Sequence, residues 1–271
     1  MNGRPESWAW RDTTAAPERA LAGRTAVVTG AGQGVGEGIA RALAAVGANI
    51  VIAARRAATG EPVAASIRAG GGSAVCIETD VAVGPSVDAA VAGAVARFGA
   101  MEIMVHNAYM PTRAHRVEDA NETIWEPNAR TAAWGSLFCA RAAYPHLRAA
   151  GRRGRLILLS SPAGVEGSAT RPVYSAVKGA QRAMAKSLAK EWGPDGITVN
   201  CIAPVAESPA LTSAFDADPA LRAAVASRTA LSRIGDPEND IGPVAVWLAG
   251  DGAAFVTGQT IVCDGGSFMG L

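Results

Sequence analysis

Thr25-Ala26-Val27-Val28-Thr29-Gly30-Ala31-Gly32-Gln33-Gly34-Val35-Gly36 runs from an apolar strand through a glycine-rich turn into a helix. Thr25 to Val28 forms the short apolar run, and Val35 to Val46 reads as a helix closed by Gly47. Glycines let a backbone approach a pyrophosphate closely, and a helix N-terminus offers unpaired N–H groups and a partial positive charge. The spacing is T-G-x-x-x-G-x-G, not G-x-G-x-x-G. Alone, such a turn also suits a flexible βα loop; its place between a strand and a helix points to a nucleotide site.

The alternation continues outward from this stretch. Asn49–Ala53, Ala74–Ile77, Glu102–Val105, Leu156–Leu159, Ile197–Ile202 and Thr260–Val262 read as further strands. Helical stretches lie near Ser86–Phe98, Trp125–Ala149 and Tyr174–Trp192. Continuous apolar strands separated by helices predict a parallel sheet covered on both faces. The expected fold is therefore α/β, a Rossmann-like doubly wound sheet of about seven strands in one domain. Residues 1–22 read as an N-terminal extension, either docked through Trp8 and Trp10 or left as a tail, and residues 23–271 as the dinucleotide-binding and catalytic domain.

Composition narrows the function classes. The net charge of +1 gives no reason to expect nucleic acid or an anionic membrane as partner. No apolar run approaches the roughly 20 residues of a membrane span. The N-terminal residues lack the apolar core of a secretory signal. Cys76, Cys139, Cys201 and Cys263 are widely spaced and suit free thiols in a reducing cytoplasm, the expected location. His106, His115 and His146 show no metal-ligand spacing, so no metal is expected.

Tyr174-Ser175-Ala176-Val177-Lys178 carries the chemistry. The chain has 22 arginines but only three lysines, Lys178, Lys186 and Lys190. Residues four apart share a helix face. An ammonium beside a phenol favours the phenolate and lowers its pKa, which suits proton exchange with an alcohol or ketone oxygen. The plainer reading is a surface pair on an ordinary helix.

Taken in order, Thr29–Gly36, Asp80-Val81, Asn107-Ala108, Ser161, Tyr174 with Lys178, Asn200–Pro204, and Gly258 with Asp264-Gly265-Gly266 resemble a short-chain dehydrogenase/reductase of the classical type, from about Gly23 to Leu271. The resemblance implies an oxidoreductase that interconverts a small-molecule secondary alcohol and a ketone, 3-oxoacyl thioesters among the candidates. Gly30, Gly34 and Gly36, with Gln33 and Val35 in the same turn, would surround the cofactor phosphates. Asp80 and the Val81 backbone would meet the adenine, and Asn107 and Ala108 would pass under the ribose. Pro204 begins the loop that would contact the nicotinamide. Ser161 would hold the substrate oxygen, Tyr174 would act as acid/base, and Lys178 would bind the nicotinamide ribose.

Cofactor choice turns on the end of the second strand. NAD-preferring members carry an acid where this chain has Ala54, followed by Arg55 and Arg56. An arginine can hold a 2′-phosphate bidentately, so NADP(H) is favoured over NAD(H). Gln33 argues the other way, since NADP-using relatives often carry a basic residue there. Ala180, Met184, Leu188 and Trp192 form a helical stripe expected to pack, with Tyr174 and Lys178 nearly opposite. The resemblance also implies a homo-oligomer, a tetramer or dimer built on long helices.

Three positions depart from the family pattern. Its usual catalytic asparagine falls on Ala132; Asn128, one helical turn earlier, is the candidate substitute. Tyr109 replaces the glycine of Asn-Asn-Ala-Gly, and Val205 replaces the glycine of Pro-Gly. These departures motivate a second reading, a cofactor-binding protein with weak or no dehydrogenase activity. Arg152-Arg153-Gly154-Arg155 could meet an acidic carrier protein or form a solvated turn. The segment from Ala206 to Ser232 is expected to cover the substrate.

Overall fold

The computed structural model describes residues 19–269. Trp8 and Trp10 lie outside that range. Seven parallel strands form one sheet in the order β3-β2-β1-β4-β5-β6-β7. They span Thr25–Thr29 (β1), Asn49–Ala54 (β2), Ser73–Glu78 (β3), Ile103–His106 (β4), Arg155–Leu159 (β5), Thr198–Pro204 (β6) and Thr260–Cys263 (β7). The order reverses at β1, because the chain goes first to β2 and β3 and then returns to β4 on the other side. A doubly wound sheet opens its ligand crevice at such a reversal.

Alternate residues of each strand feed two separate cores, as period-two side chains must. Val28, Ile50, Ile52, Val105 and Ile157 pack under α1 (Gly34–Ala45), α2 (Ala57–Ala69) and α10 (Gly242–Ala249). Val27, Val51, Met104, Leu156 and Val199 face α3 (Gly84–Phe98), α5 (Gly135–Ala150) and α7 (Pro172–Trp192). Shorter helices are α4 (Glu122–Asn128), α6 (Ala163–Glu166), α8 (Pro209–Ala217) and α9 (Pro219–Ala226). Leu21, at the end of the expected extension, is fully buried in the first core, so the folded body begins before Gly23.

Among the helices that the pattern does not show, α2 and α10 have plain reasons. α2 carries Gly60 and Pro62, which break a helical reading. Gly60 is there for contact: an added Cβ would lie 2.6 Å from Cys76 Sγ and 2.8 Å from Ala54 Cβ. α10 is apolar all round, and a short apolar run cannot be assigned to helix or strand by periodicity.

The expected stripe on α7 is also displaced. The buried side chains are Val173, Val177, Lys178, Gln181, Ala185, Ala189 and Trp192, while Ala180 is exposed and Met184 and Leu188 are only half-buried. Small residues, not the larger Met and Leu, let α7 lie close to the sheet and to residues Ala129–Trp134 before α5. Lys178 therefore sits on the packed side of the helix.

Arg155 is likewise buried, with its guanidinium donating to the carbonyls of Arg152, Gly154 and Gly250. It belongs to the start of β5, the opposite end of that strand from the crevice, and is not part of an exposed basic cluster.

Candidate active site

A cleft of ≈ 380 Å³ opens at the C-terminal ends of β1, β2, β4, β5 and β6. Gly30, Gln33, Gly34 and Val35 form one wall. Ala54 and Arg55 lie at one end with Asp80 and Val81. Asn107, Ala108, Tyr174, Lys178 and Pro204 complete the lining. Among the expected residues, Gly36 and Ser161 stand just behind it.

The glycine turn is built for close approach. Gly30 has φ +64° and Gly34 φ +59°, a region that side chains disfavour. A Cβ on Gly30 would lie 2.8 Å from Ala108 Cα. The Asn107 amide ties this turn down by donating to the carbonyls of Thr29 (3.1 Å) and Gly30 (3.2 Å). Thr29 Oγ1 accepts from the N–H groups of Asn107 and Ala108, so β1 and β4 are laced at the crevice. Gln33, the N-cap of α1, has no side-chain hydrogen bond to the helix's first N–H groups. Open N–H groups beside a glycine cradle fit a dinucleotide's phosphates.

Gly36 tests that cradle. An alanine there would place its Cβ 2.5 Å from the Gly30 carbonyl oxygen and against the Asn107 amide. Gly36→Ala is expected to cost roughly 1–3 kcal/mol of stability and to weaken nucleotide binding. Thermal unfolding and a fluorescence titration with NADPH measure both; wild-type values in each would sink the idea that this packing matters.

At the other end, β2 finishes on Ala54, and no carboxylate follows it before Glu61. Arg55 and Arg56 are exposed at the cleft mouth beside Thr59, a residue sequence reasoning had missed. Thr59 is close enough to the turn that a Cβ on Gly32 would lie 2.9 Å from its hydroxyl. Asp80 Oδ1 accepts from the Ala82 N–H at 2.9 Å, which fixes the bend after β3.

Tyr174 and Lys178 lie on the first turns of α7. Ser160 is the serine that anchors this helix, donating to the Lys178 carbonyl at 2.9 Å. Ser161 Oγ accepts from the Ala163 N–H at 3.2 Å and acts on the neighbouring Tyr174 phenol, lowering its pKa. Burial pushes the Tyr174 pKa up; the Ser161 hydroxyl and the Arg171 charge oppose it without cancelling it. The expectation of a phenol made acidic by Lys178 is thus not met in this structure. The Lys178 ammonium donates instead to the Leu159 carbonyl (2.5 Å) and Gln181 Oε1 (3.0 Å). Burial pulls the Lys178 pKa from 10.5 down to about 8.

Tyr109 stands over this pair, its ring centroid 6.2 Å from that of Tyr174 at an interplanar angle of 64°. Lys178 Nζ lies 5.9 Å from the Tyr109 centroid and 5.8 Å from that of Tyr174. The residue that replaces a glycine is therefore an aromatic wall of the cleft. Ala206, Ser208 and Pro209 lie along the opposite edge, so the segment leading into α8 does border it.

The alanine at position 132 lies in a π-turn, Ala129–Trp134, which joins α4 to α5. π-turns are rare and cluster at functional sites. The turn brings Thr131 to the cleft wall. Asn128 does not replace the missing asparagine: its Oδ1 accepts from Thr112 (2.8 Å) and its Nδ2 donates to the Ile124 carbonyl (2.9 Å). Both polar ends are occupied away from Lys178. His106, fully buried beneath the π-turn, makes a 3.0 Å hydrogen bond with Thr29 Oγ1. Its Nε2 lies by the Thr131 and Ala132 carbonyls without a well-formed hydrogen bond. Desolvation, then the nearby Lys178, pull its pKa down to about 3, so it stays neutral.

Residues 30–267 match a family model described as enoyl-(acyl carrier protein) reductase. The chain belongs to the short-chain dehydrogenase/reductase family. It is an NAD(P)-dependent oxidoreductase. A probable short-chain type dehydrogenase/reductase of Bradyrhizobium diazoefficiens is 37% identical over 248 residues, covering 90% of this chain and 87% of that one. The cis-4-hydroxycyclohexanecarboxylate dehydrogenase of Sinomonas cyclohexanicum is 34% identical, covering 91% and 97%. A crystal structure described as a short-chain alcohol dehydrogenase, from Sinorhizobium meliloti, superposes with a TM-score of 0.85 at 34% identity, covering 91% and 97%. Among the described residues of this short-chain dehydrogenase/reductase, no helix is long and apolar enough to cross a membrane.

Proposed function

We propose that this protein is an NADP(H)-preferring oxidoreductase that interconverts a secondary alcohol and a ketone, with Tyr174 as acid/base. The observation that carries this reading is the Tyr174 phenol in the cleft lining, next to Ser161 and one helical turn from buried Lys178. When bound, the nicotinamide supplies or accepts the hydride. In reduction, Ser161 orients the carbonyl oxygen and Tyr174 gives that oxygen its proton; in oxidation, Tyr174 takes the proton back. Lys178 would turn from the Leu159 carbonyl toward the cofactor ribose. Tyr109, Met110 and Pro111 give the substrate end an apolar, partly aromatic wall, which suits a ring or an acyl chain next to the reacting carbon. The relative acting on a hydroxycyclohexanecarboxylate supports a secondary alcohol of modest size. Exposed Ala176, Ala180 and Ala183 on α7 support association into a dimer or tetramer, which sedimentation would measure.

Arg55, with Arg56 and Thr59 beside it, supports the choice of NADP(H). A panel of cyclic and open-chain alcohols, ketones and 3-oxoacyl thioesters, followed at the nicotinamide absorbance with each cofactor, tests the reading. Arg55→Ala is expected to raise KM for NADPH about tenfold, the loss of one charge-assisted contact, while KM for NADH stays put. NADH serving the wild-type enzyme as well as NADPH would refute the preference. Absence of turnover across the panel, with NADPH still bound, would refute the activity.

A further inference from the structure

Lys178 opens a polar chain that crosses the interior between α7 and α5. Its ammonium donates to Gln181 Oε1 at 3.0 Å. Gln181 Nε2 donates to Ser136 Oγ at 2.9 Å, and Ser136 Oγ donates to the Ala132 carbonyl at 2.7 Å. Gln181 and Ser136 are fully buried. Apart from Lys178, the other buried residues of α7 are Val173, Val177, Ala185, Ala189 and Trp192, so packing alone would place an apolar residue at 181. A buried amide is costly unless both its ends are paired, and here both are.

We propose that Gln181, held by Ser136, is a positioning residue for Lys178, linking its ammonium to the Ala132 carbonyl where the family's asparagine side chain is missing. The amide accepts from the ammonium on one side and is locked on the other, so it fixes where Nζ sits and how readily it gives up a proton. This role rests on the reading of Lys178 as part of the reacting group. The charged and titratable groups facing Lys178 are Tyr174 on its own helix, Tyr109 after β4, His106 on β4 and Cys201 on β6. His106 is held neutral down to about 3, and burial pushes the Cys201 thiol up to about 12. Burial pushes both tyrosines up as well. Near pH 8 Lys178 thus titrates among groups of fixed charge.

The chain's three lysines make the test direct. Labelling with [ε-13C]lysine gives three resonances, two of them from exposed Lys186 and Lys190. In the protein without cofactor, the third is expected to titrate near 8. Gln181→Met should lower that midpoint by about one pH unit, and Gln181→Glu should raise it by about one unit or more, since a carboxylate favours the ammonium. Ser136→Ala should move it the same way as Gln181→Met, by less. The alkaline limb of kcat should follow in each variant. If the resonance moves and the wild-type protein turns over no substrate, the positioning role stands and the dehydrogenase reading falls. Wild-type turnover with folded variants whose Lys178 midpoint and pH limb match the parent would overturn the positioning role.

Discussion

Replacing Tyr174 with phenylalanine is expected to lower kcat by about 10²–10⁴-fold, the usual worth of a positioned general acid/base. NADPH affinity should stay within about twofold, because the ring and its edge-on contact with Tyr109 remain. Only the phenolic oxygen beside Ser161 is lost. Stopped-flow single turnovers separate the chemical step from cofactor release, and fluorescence titration checks binding. A variant keeping a tenth or more of wild-type kcat would remove Tyr174 from the reaction. The raised phenol pKa adds a direction. A phenol held above its ordinary value of 10 is protonated at neutral pH and is ready to donate, so reduction needs no prior ionisation. Oxidation needs the phenolate and should accelerate as pH rises.

The second large effect concerns stability. In the fold Lys178 loses its proton near 8, whereas in the unfolded chain it keeps it to about 10.5. Between those values the unfolded state binds more protons, so stability rises with pH; below 8 the cost of the buried ammonium is fully present. The interval from 10.5 to about 8 corresponds to roughly 3 kcal/mol. Denaturant unfolding of wild type and Lys178→Met, at several pH values, should show the difference between them climbing by about that amount across the window. The comparison cancels the opposing effect of Cys139, whose buried thiol is pushed up to about 12 and destabilises both proteins alike at high pH; Cys201 feels the Lys178 charge directly, so the pair is compared in a Cys201→Ala background. Parallel curves would mean that Lys178 is solvated.

Much of this was legible in the chain, and the exceptions share a cause. Every expected strand exists, because a parallel strand buried on both faces is a continuous apolar run with little else it can be. The glycine turn, Asp80, Asn107 and Tyr174 lie around one cleft, since each follows a strand whose C-terminal end is forced to the same edge. What failed depended on neighbours distant in sequence. The acidifying effect expected of Lys178 gave way to desolvation, set by the depth of α7 against β5 and β6. Asn128 shares a helical face with position 132 in an ideal helix, but the intervening backbone is not one. Gln181 left a signal that went unread, a polar residue three positions after Lys178 on the same helix. On a face otherwise apolar beyond Lys178, such a residue has a partner to meet.

A π-turn holds one residue more than the helix needs. Between α4 and α5 that surplus sets the phase of everything after it relative to everything before it, with Thr131 toward the cleft and Ser136 toward Gln181. Losing one residue there would rewind the segment to an ordinary helix and turn one flank by about 100° against the other. The chain can exchange side chains at half-exposed Ala133 or exposed Trp134 with the phasing kept. A single-codon deletion anywhere in Ala129–Trp134 breaks it. Length, more than residue identity, is what this stretch must conserve.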